Sequence, residues 1–176
     1  MSGRAGIPVT GYAVAAALVG VVAALVWMGE PVEPPLGRGD PAPSFELERL
    51  SGGRAGLAER RGQVTLVNFW ATWCKPCEDE MPAMQRLYQA LAPEGFELLA
   101  VSVDASRAEV EAFRDRLGIG FPILLDPDQA TARLYQTTGF PESLLVDRDG
   151  RIVERYVGPR DWDHPDYLAR IRRAMK

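Results

Sequence analysis

The two cysteines of this 176-residue chain sit three positions apart, as Cys74-Lys75-Pro76-Cys77. Such a pair can clip a metal, anchor a haem, staple a loop or cycle between dithiol and disulfide. A structural zinc site needs about four ligands. The one histidine, His164, lies far along the chain beside Pro165 and reads as an exposed loop side chain. Covalent haem attachment requires histidine directly after the second cysteine, where Glu78 stands. A disulfide closing so short a loop stabilises little, because the entropic gain grows with loop length. The redox reading has a mechanism. Cys74 falls at the start of an expected helix, where backbone N–H groups and the helix dipole favour a thiolate. Lys75 adds positive charge beside it. Pro76 falls in the first turn, where its missing N–H costs least, and stiffens the loop. Cys77, one turn on, can reach a mixed disulfide formed at Cys74.

The elements around the pair must hold it at a strand-to-helix junction. "VTLVNFWA", Val64–Ala71, is an apolar, β-branched and aromatic run suited to a buried central strand. From Lys75 to Leu91 the residues Met81, Met84, Leu87, Tyr88 and Leu91 recur at helical spacing, and Pro93 and Gly95 stop the helix. Further on, 96–104 reads as a second strand. Ser106, followed three residues later by Glu109, opens a helix that ends at Gly118. "FPILLD" reads as a third core strand, and 128–135 as a short helix. "ESLLVD" and "RIVERYVG" flank the turn Asp147-Arg148-Asp149-Gly150, a hairpin. Pro165–Lys176 is expected as a terminal helix with an Arg-rich last turn. Before the Cys strand, Phe45-Glu46-Leu47 reads as a short edge strand and 52–62 as a turn and brief helix. Alternating strands and helices followed by a hairpin imply an α/β fold around a mixed sheet.

No charged residue occurs between Arg4 and Glu30. A spanning helix needs roughly 20 such residues, and this run supplies them, with Tyr12 and Trp27 at plausible interface depths. It ends Val26-Trp27-Met28, too bulky for the small residues a signal-peptide cleavage site wants. Residues 1–29 are therefore expected to be an uncleaved membrane anchor. Arg4 and the amino terminus place the N-terminus in the cytoplasm and the rest outside it. Residues 30–39, rich in Pro and Gly, read as a semi-rigid spacer, and 40–176 as the folded domain. The formal net charge of −4 offers no basic field for a phosphate backbone, so nucleic-acid binding is not expected.

"VNFWATWCKPC" after a core strand, with the later "GFPES", resembles the thioredoxin fold. "GDPAPSFELERLSG", "RGQVTLVNFWATWC" and "EDEMP" narrow the resemblance to the TlpA/ResA/CcmG type of membrane-tethered, extracytoplasmic thiol–disulfide oxidoreductase, over roughly Asp40 to Lys176. The resemblance implies a thioredoxin-like fold with a central mixed sheet flanked by helices. It also implies a family-type insertion matching Ser106–Leu117 and Phe121–Asp126, behind an N-terminal transmembrane helix. Cys74 then matches the exposed nucleophile, Cys77 the buried resolving partner, and the two form the redox-active disulfide. Pro141 matches a cis-proline facing that disulfide, with Gly139, Phe140 and Trp73 along the substrate groove. Lys75 and Pro76 are tuning positions, and Trp70 is expected in the core. Glu80 matches the acidic residue of Cys-x-x-Cys-x-x-Glu, on the same helical face as Cys77. A raised pKa there would suit proton exchange with Cys77. Glu78 and Asp79 read as solvated. Thioredoxin itself carries a buried Asp where this chain has Asn68, which cannot titrate.

The implied activity is reduction of protein disulfides, the implied substrate the cysteine pair of apocytochrome c, and the implied electron source a membrane donor of the DsbD or CcdA sort. No cofactor is implied. Two other readings compete. A thiol peroxidase shares the "GDPAPSFEL" opening but needs Thr or Ser three residues before its cysteine and Pro four before that, where Ala71 and Val67 stand. A copper-handling module could use two thiolates, but no Met or His cluster adds ligands. The Asp147-x-Asp149-Gly150 run mimics the start of a calcium loop, but Gly158 occupies the twelfth position where glutamate is needed.

Overall fold

The computed structural model describes residues 9–27 and 35–176, which fall into two units divided between Pro34 and Pro35. In the first unit, Val9–Trp27 is a 19-residue helix, α1. Its side chains are described from residue 15 to residue 24, all exposed. Among the described residues no helix is long and apolar enough to cross a membrane. Arg4, Glu30 and Glu33 lie outside the described residues.

The second unit begins at Pro35, inside the stretch expected to be a spacer. Backbone bonds tie that stretch down. Leu36 donates its N–H to Gln136 Oε1 at 2.8 Å and accepts from Arg155 Nη1 at 3.0 Å, and Gly39 N–H bonds Ile152 O at 2.8 Å. Pro- and Gly-rich composition conceals such contacts, because they use main-chain atoms that carry no sequence signature.

Glu46–Arg49 (β1) and Arg54–Gly56 (β2) form an antiparallel hairpin. Thr65–Trp70 (β3) is buried at every position. Lys75–Leu91 (α2) runs through Pro82 without interruption, although proline removes one internal hydrogen bond. Glu97–Ser102 (β4) leads to Arg107–Leu117 (α3). Ser106 Oγ accepts from Glu109 N–H at 3.3 Å, and Gly118 closes the helix with φ 63°, a conformation that favours glycine. Ile123–Leu125 (β5) is followed by Ala130–Leu134 (α4). The Asp126 carboxylate accepts from the N–H groups of Thr131 and Ala132 at 3.1 and 2.9 Å. Glu142–Val146 (β6) and Ile152–Val157 (β7) make the expected hairpin, and Pro165–Ala174 (α5) ends the unit.

The sheet order is β2-β1-β5-β4-β3-β6-β7. Strands β3, β4 and β5 pair in parallel; β1 with β5, β3 with β6 and β6 with β7 are antiparallel. The strand expected at the edge from Phe45 to Leu47 is instead interior, because β2, read from sequence as turn and helix, covers it. Three residues are too few to display alternation. Gly56 has a steric reason: a Cβ there would lie 1.9 Å from Phe45 O.

Register fixes which residues share a face. Asn68 pairs with Ala100 and Ser143, and Ser143 with Tyr156. Tyr156, Trp162 and Tyr167 pack ring to ring on that side, with Tyr156–Trp162 centroids 5.2 Å apart. On the opposite face Phe69 and Phe45 pack on Tyr135 at 5.2 and 5.7 Å. There Arg155 forms an ion pair with the fully buried Glu142. Arg155 also donates to the carbonyls of Leu36, Tyr135 and Gln136, while Thr138 N–H donates to Glu142 at 3.0 Å. This satisfied network, the condition for tolerating buried charge, fastens the loop before Pro141 to the N-terminal segment.

Candidate active site

The buried run of β3 ends at Trp70 and turns over Ala71–Cys74, with Cys74 N–H bonded to Ala71 O at 3.2 Å. Cys74 is the N-cap of α2 in extended backbone, and its Sγ accepts from Cys77 N–H at 3.2 Å. Cys74 and Cys77 are joined as a disulfide with Cα atoms 5.2 Å apart. The expected asymmetry is present but narrower than anticipated: Cys74 is 6% exposed and Cys77 0%. In the disulfide form the nucleophile is thus nearly covered. Pro76 occupies the first turn of α2.

Trp73 supplies the exposed part of the site, at 67% exposure. Its ring meets that of Phe140 edge to face, centroids 5.9 Å apart, so the loop before the cysteine touches the loop before Pro141. The Phe140–Pro141 bond is cis, as the resemblance implied. The Phe69–Glu142 register places Pro141 beside Trp70, at the end of β3 that leads to Cys74. Trp70 itself is fully buried and stacks on Phe113.

Lys75 does not act as a free charge. Its ammonium pairs with Asp79 one turn along, and that hydrogen bond raises the lysine pKa. Its field at Cys74 is thereby partly cancelled. Glu78, expected to be solvated, accepts two bonds from the Arg116 guanidinium at 2.9 and 3.3 Å, linking α2 to α3. That bond holds its carboxyl below the usual carboxylate range.

Glu80 is 3% exposed. Its Oε1 accepts from Asn68 Nδ2 at 3.1 Å, and its Oε2 from Arg160 N–H at 2.9 Å and Trp162 Nε1 at 3.0 Å. Burial lifts its pKa from 4.5 to about 7, against the smaller opposing pull of these donors and of the Arg160 charge. A groove of about 340 Å³ is lined by Glu80, Pro82, Arg86, Pro159, Arg160 and Asp161. Asn68 bonds Ser143 Oγ through the same Nδ2 at 2.9 Å, while its buried Oδ1 has no partner. Rotating that amide by half a turn presents Oδ1 to Glu80, where it accepts from a protonated carboxyl. The side chain that cannot titrate can thus serve both states of the one that does.

Trp162, Arg160, Ser143 and Asp104 belong to this neighbourhood and were not singled out by sequence. Trp162 stands in "RDWDHP" with no pattern to mark it. Asp104 was read only as the end of a strand. It is 4% exposed and binds the turn that carries Trp73, through Thr72. His164, read as an exposed loop residue, caps α5 through Nδ1.

A thiol pair at a helix N-terminus, one member fully buried and three residues before a carboxyl poised near neutrality, can exchange disulfides and move the accompanying proton. The positions a peroxidase would need as Thr and Pro are Ala71 and Val67, both fully buried and without a hydroxyl.

Comparison with known proteins agrees. Residues 38–155 match the AhpC/TSA family. The chain is 36% identical over 134 residues to the thiol-disulfide oxidoreductase ResA of Bacillus anthracis, covering 76% of this chain and 78% of that protein. It is 39% identical over 120 residues to ResA of Geobacillus kaustophilus, covering 68% and 69%. A Chlorobium tepidum structure described as a thiol:disulfide interchange protein DsbE superposes with TM-score 0.75 at 33% identity, over 80% of this chain and 99% of that one. StoA from Bacillus subtilis superposes with TM-score 0.63 at 25% identity, over 77% and 98%. Fold, cysteine pair and relatives converge: the chain belongs to the AhpC/TSA family of thioredoxin-like proteins and is a thiol–disulfide oxidoreductase of the ResA/DsbE type.

Proposed function

We propose that this oxidoreductase works as a membrane-tethered, extracytoplasmic reductase of protein disulfides, with the cysteine pair of apocytochrome c as its substrate. The observation that carries the reading is the Glu80 carboxyl, buried on the helix that bears Cys77 and poised at about 7. A resolving thiol that is fully buried needs a nearby proton acceptor, and one balanced near neutrality both takes and returns the proton.

The Cys74 thiolate attacks one sulfur of the substrate disulfide. A Cys74–substrate disulfide forms, and the other substrate sulfur leaves as thiolate and takes a proton. Cys77 passes its proton to Glu80, directly or through one water, and its thiolate attacks Cys74 Sγ. The Cys74–Cys77 disulfide forms, and the second substrate thiolate leaves and is protonated. The enzyme loses two electrons and the substrate gains them; of the two protons the substrate takes up, one is matched by the proton Cys77 gives to Glu80 and the other comes from solvent. A membrane thiol donor of DsbD or CcdA type restores the dithiol. Glu80 returns its proton through the groove beside Pro82 and Arg160.

Tethering rests on the uncharged run between Arg4 and Glu30. Retention of the full chain in the membrane pellet after alkaline carbonate washing is the expected result, and release into the supernatant counts against the anchor.

The direction of electron flow is tested by the reduction potential of the Cys74–Cys77 couple, equilibrated against glutathione. A value in the thioredoxin range, about −270 mV, is expected; one near DsbA, about −120 mV, overturns the reductase reading.

Trp73→Ala separates substrate contact from chemistry. At 67% exposure its removal should shift stability by less than about 0.5 kcal/mol. Exposed aromatic anchors contribute strongly to protein recognition. The variant should therefore lose roughly tenfold in kcat/KM for a protein disulfide and keep its rate with a small aromatic disulfide. An equal loss with both would place Trp73 in the chemistry instead.

A further inference from the structure

Asp104 lies just beyond β4, and among the described residues no cation forms an ion pair with it. Its carboxylate is met by donors only. Thr72 N–H reaches Oδ1 and Oδ2 at 3.1 and 3.0 Å, Thr72 Oγ1 donates to Oδ1 at 2.6 Å, and Ser102 Oγ donates to Oδ2 at 2.8 Å. Ser102 Oγ in turn accepts Asp104 N–H at 3.2 Å. Thr72 N–H can only donate and both hydroxyls are free to donate as well, so every contact suits a carboxylate. The side chain is 4% exposed, so solvent screens its charge weakly.

The neighbouring charges do not cancel it. Arg107 and Glu48 line the same small cavity as Asp104. The Arg107 guanidinium is occupied by Glu48, Glu111 and the Leu50 carbonyl. On the side of α2, Lys75 is held by Asp79 and Arg116 by Glu78. Thr72, which Asp104 grips by both backbone and hydroxyl, stands two residues before Cys74 in the turn closed by the Cys74 N–H to Ala71 O bond.

We propose that Asp104 is a positioning residue that sets the redox poise of the couple: it locks the Thr72 turn and, from that fixed place, holds a buried negative charge at the turn that leads into Cys74. The charge raises the energy of the reduced, thiolate-bearing state and leaves the neutral disulfide untouched. Electrons are thereby released more readily. A strong oxidant in this fold class is one whose reduced form is stabilised; Asp104 acts in the opposite sense. The inference deepens the reductase reading and rests on it.

The test compares reduction potentials of the full chain in detergent, at pH 8. A thiol lowered to about 7 by a helix N-terminus is then mostly thiolate. Asp104→Asn removes the charge and keeps the shape. Its equilibrium constant with glutathione should shift at least tenfold toward the dithiol, a rise of about 30 mV for this two-electron couple. Asp104→Ser removes the same charge with a smaller side chain and carries the measurement if the Asn variant does not fold. Thr72→Val deletes the hydroxyl bond and keeps both the charge and the backbone bond, so its potential should stay within threefold of wild type in the equilibrium constant. Asp104 variants that match wild type overturn the proposal. So does a Thr72→Val shift as large as theirs, because turn geometry alone would then explain the effect. The reductase reading stands or falls on the absolute wild-type potential, a separate number from these differences.

Discussion

Cys77→Ser accumulates as covalent adducts through Cys74 when mixed with a disulfide-bearing protein, and Cys74→Ser forms none. The reason lies in the geometry of the pair. Cys74 caps α2 and receives the Cys77 N–H at 3.2 Å, so it keeps its stabilised thiolate when Cys77 becomes serine. The first exchange then proceeds and the second cannot, since a serine hydroxyl does not displace a thiol from a disulfide. Cys74→Ser leaves only Cys77, which is fully buried and has no route to a protein substrate. Turnover in both variants should fall to the uncatalysed rate. Non-reducing gels and mass spectrometry of the adduct give the readout. Adducts on the Cys74→Ser variant, or none on Cys77→Ser, would reverse the assignment of nucleophile and resolving thiol.

Glu80→Gln should alter both stability and rate as functions of pH. In the folded state its pKa stands at about 7, raised by burial from a reference of 4.5. The folded protein therefore holds this proton more tightly than the unfolded chain. The resulting stabilisation is fully present below about pH 4.5 and is lost as pH rises through about 7. At about 1.4 kcal/mol per pKa unit, the loss amounts to roughly 3 kcal/mol. Glutamine has no proton to lose. Urea unfolding with the disulfide intact should show wild-type stability falling relative to the variant by roughly that amount between pH 4.5 and 8. The fold tolerates the amide: its oxygen can keep the Arg160 and Trp162 donors, and its NH2 can meet the orphaned Asn68 Oδ1 after that amide rotates. Catalysis does not tolerate it as well. Without a proton acceptor for Cys77, resolution of the mixed disulfide should slow by about a hundredfold, and the inflection near pH 7 should vanish from the wild-type rate profile. Parallel stability curves for the two proteins would remove Glu80 from the proton path.

These expectations divide by how they could be known. The redox reading needed only spacing and the absence of other ligands: one distant histidine, and Glu78 where haem attachment requires histidine. The N-cap at Ser106, the stop at Gly118 and the hairpin at Asp147–Gly150 were legible because turns and caps are local chemistry. The short strand β2 was not, because three residues carry no periodicity, and its loss misplaced β1 at the sheet edge. The structured start at Leu36 was hidden by composition. The pairing of Lys75 with Asp79 was available in the sequence, as charges one turn apart on a helix, and it limits what the lysine does for Cys74.

Local chemistry fixes the couple, its place at a strand-to-helix junction and the face of α2 that Glu80 shares with Cys77. Each follows from short-range geometry: the pitch of a helix, the cap position and the path of a buried strand. Tertiary structure decided what those groups can do. Glu80 titrates near neutrality because the packed fold buries it, against the downward pull of donors as distant in the chain as Trp162, 82 residues away, and Arg160. Asp104 reaches Thr72 across 32 residues. Exclusion of water is a property of the packed whole, and a carboxyl's charge depends on how much water is left around it.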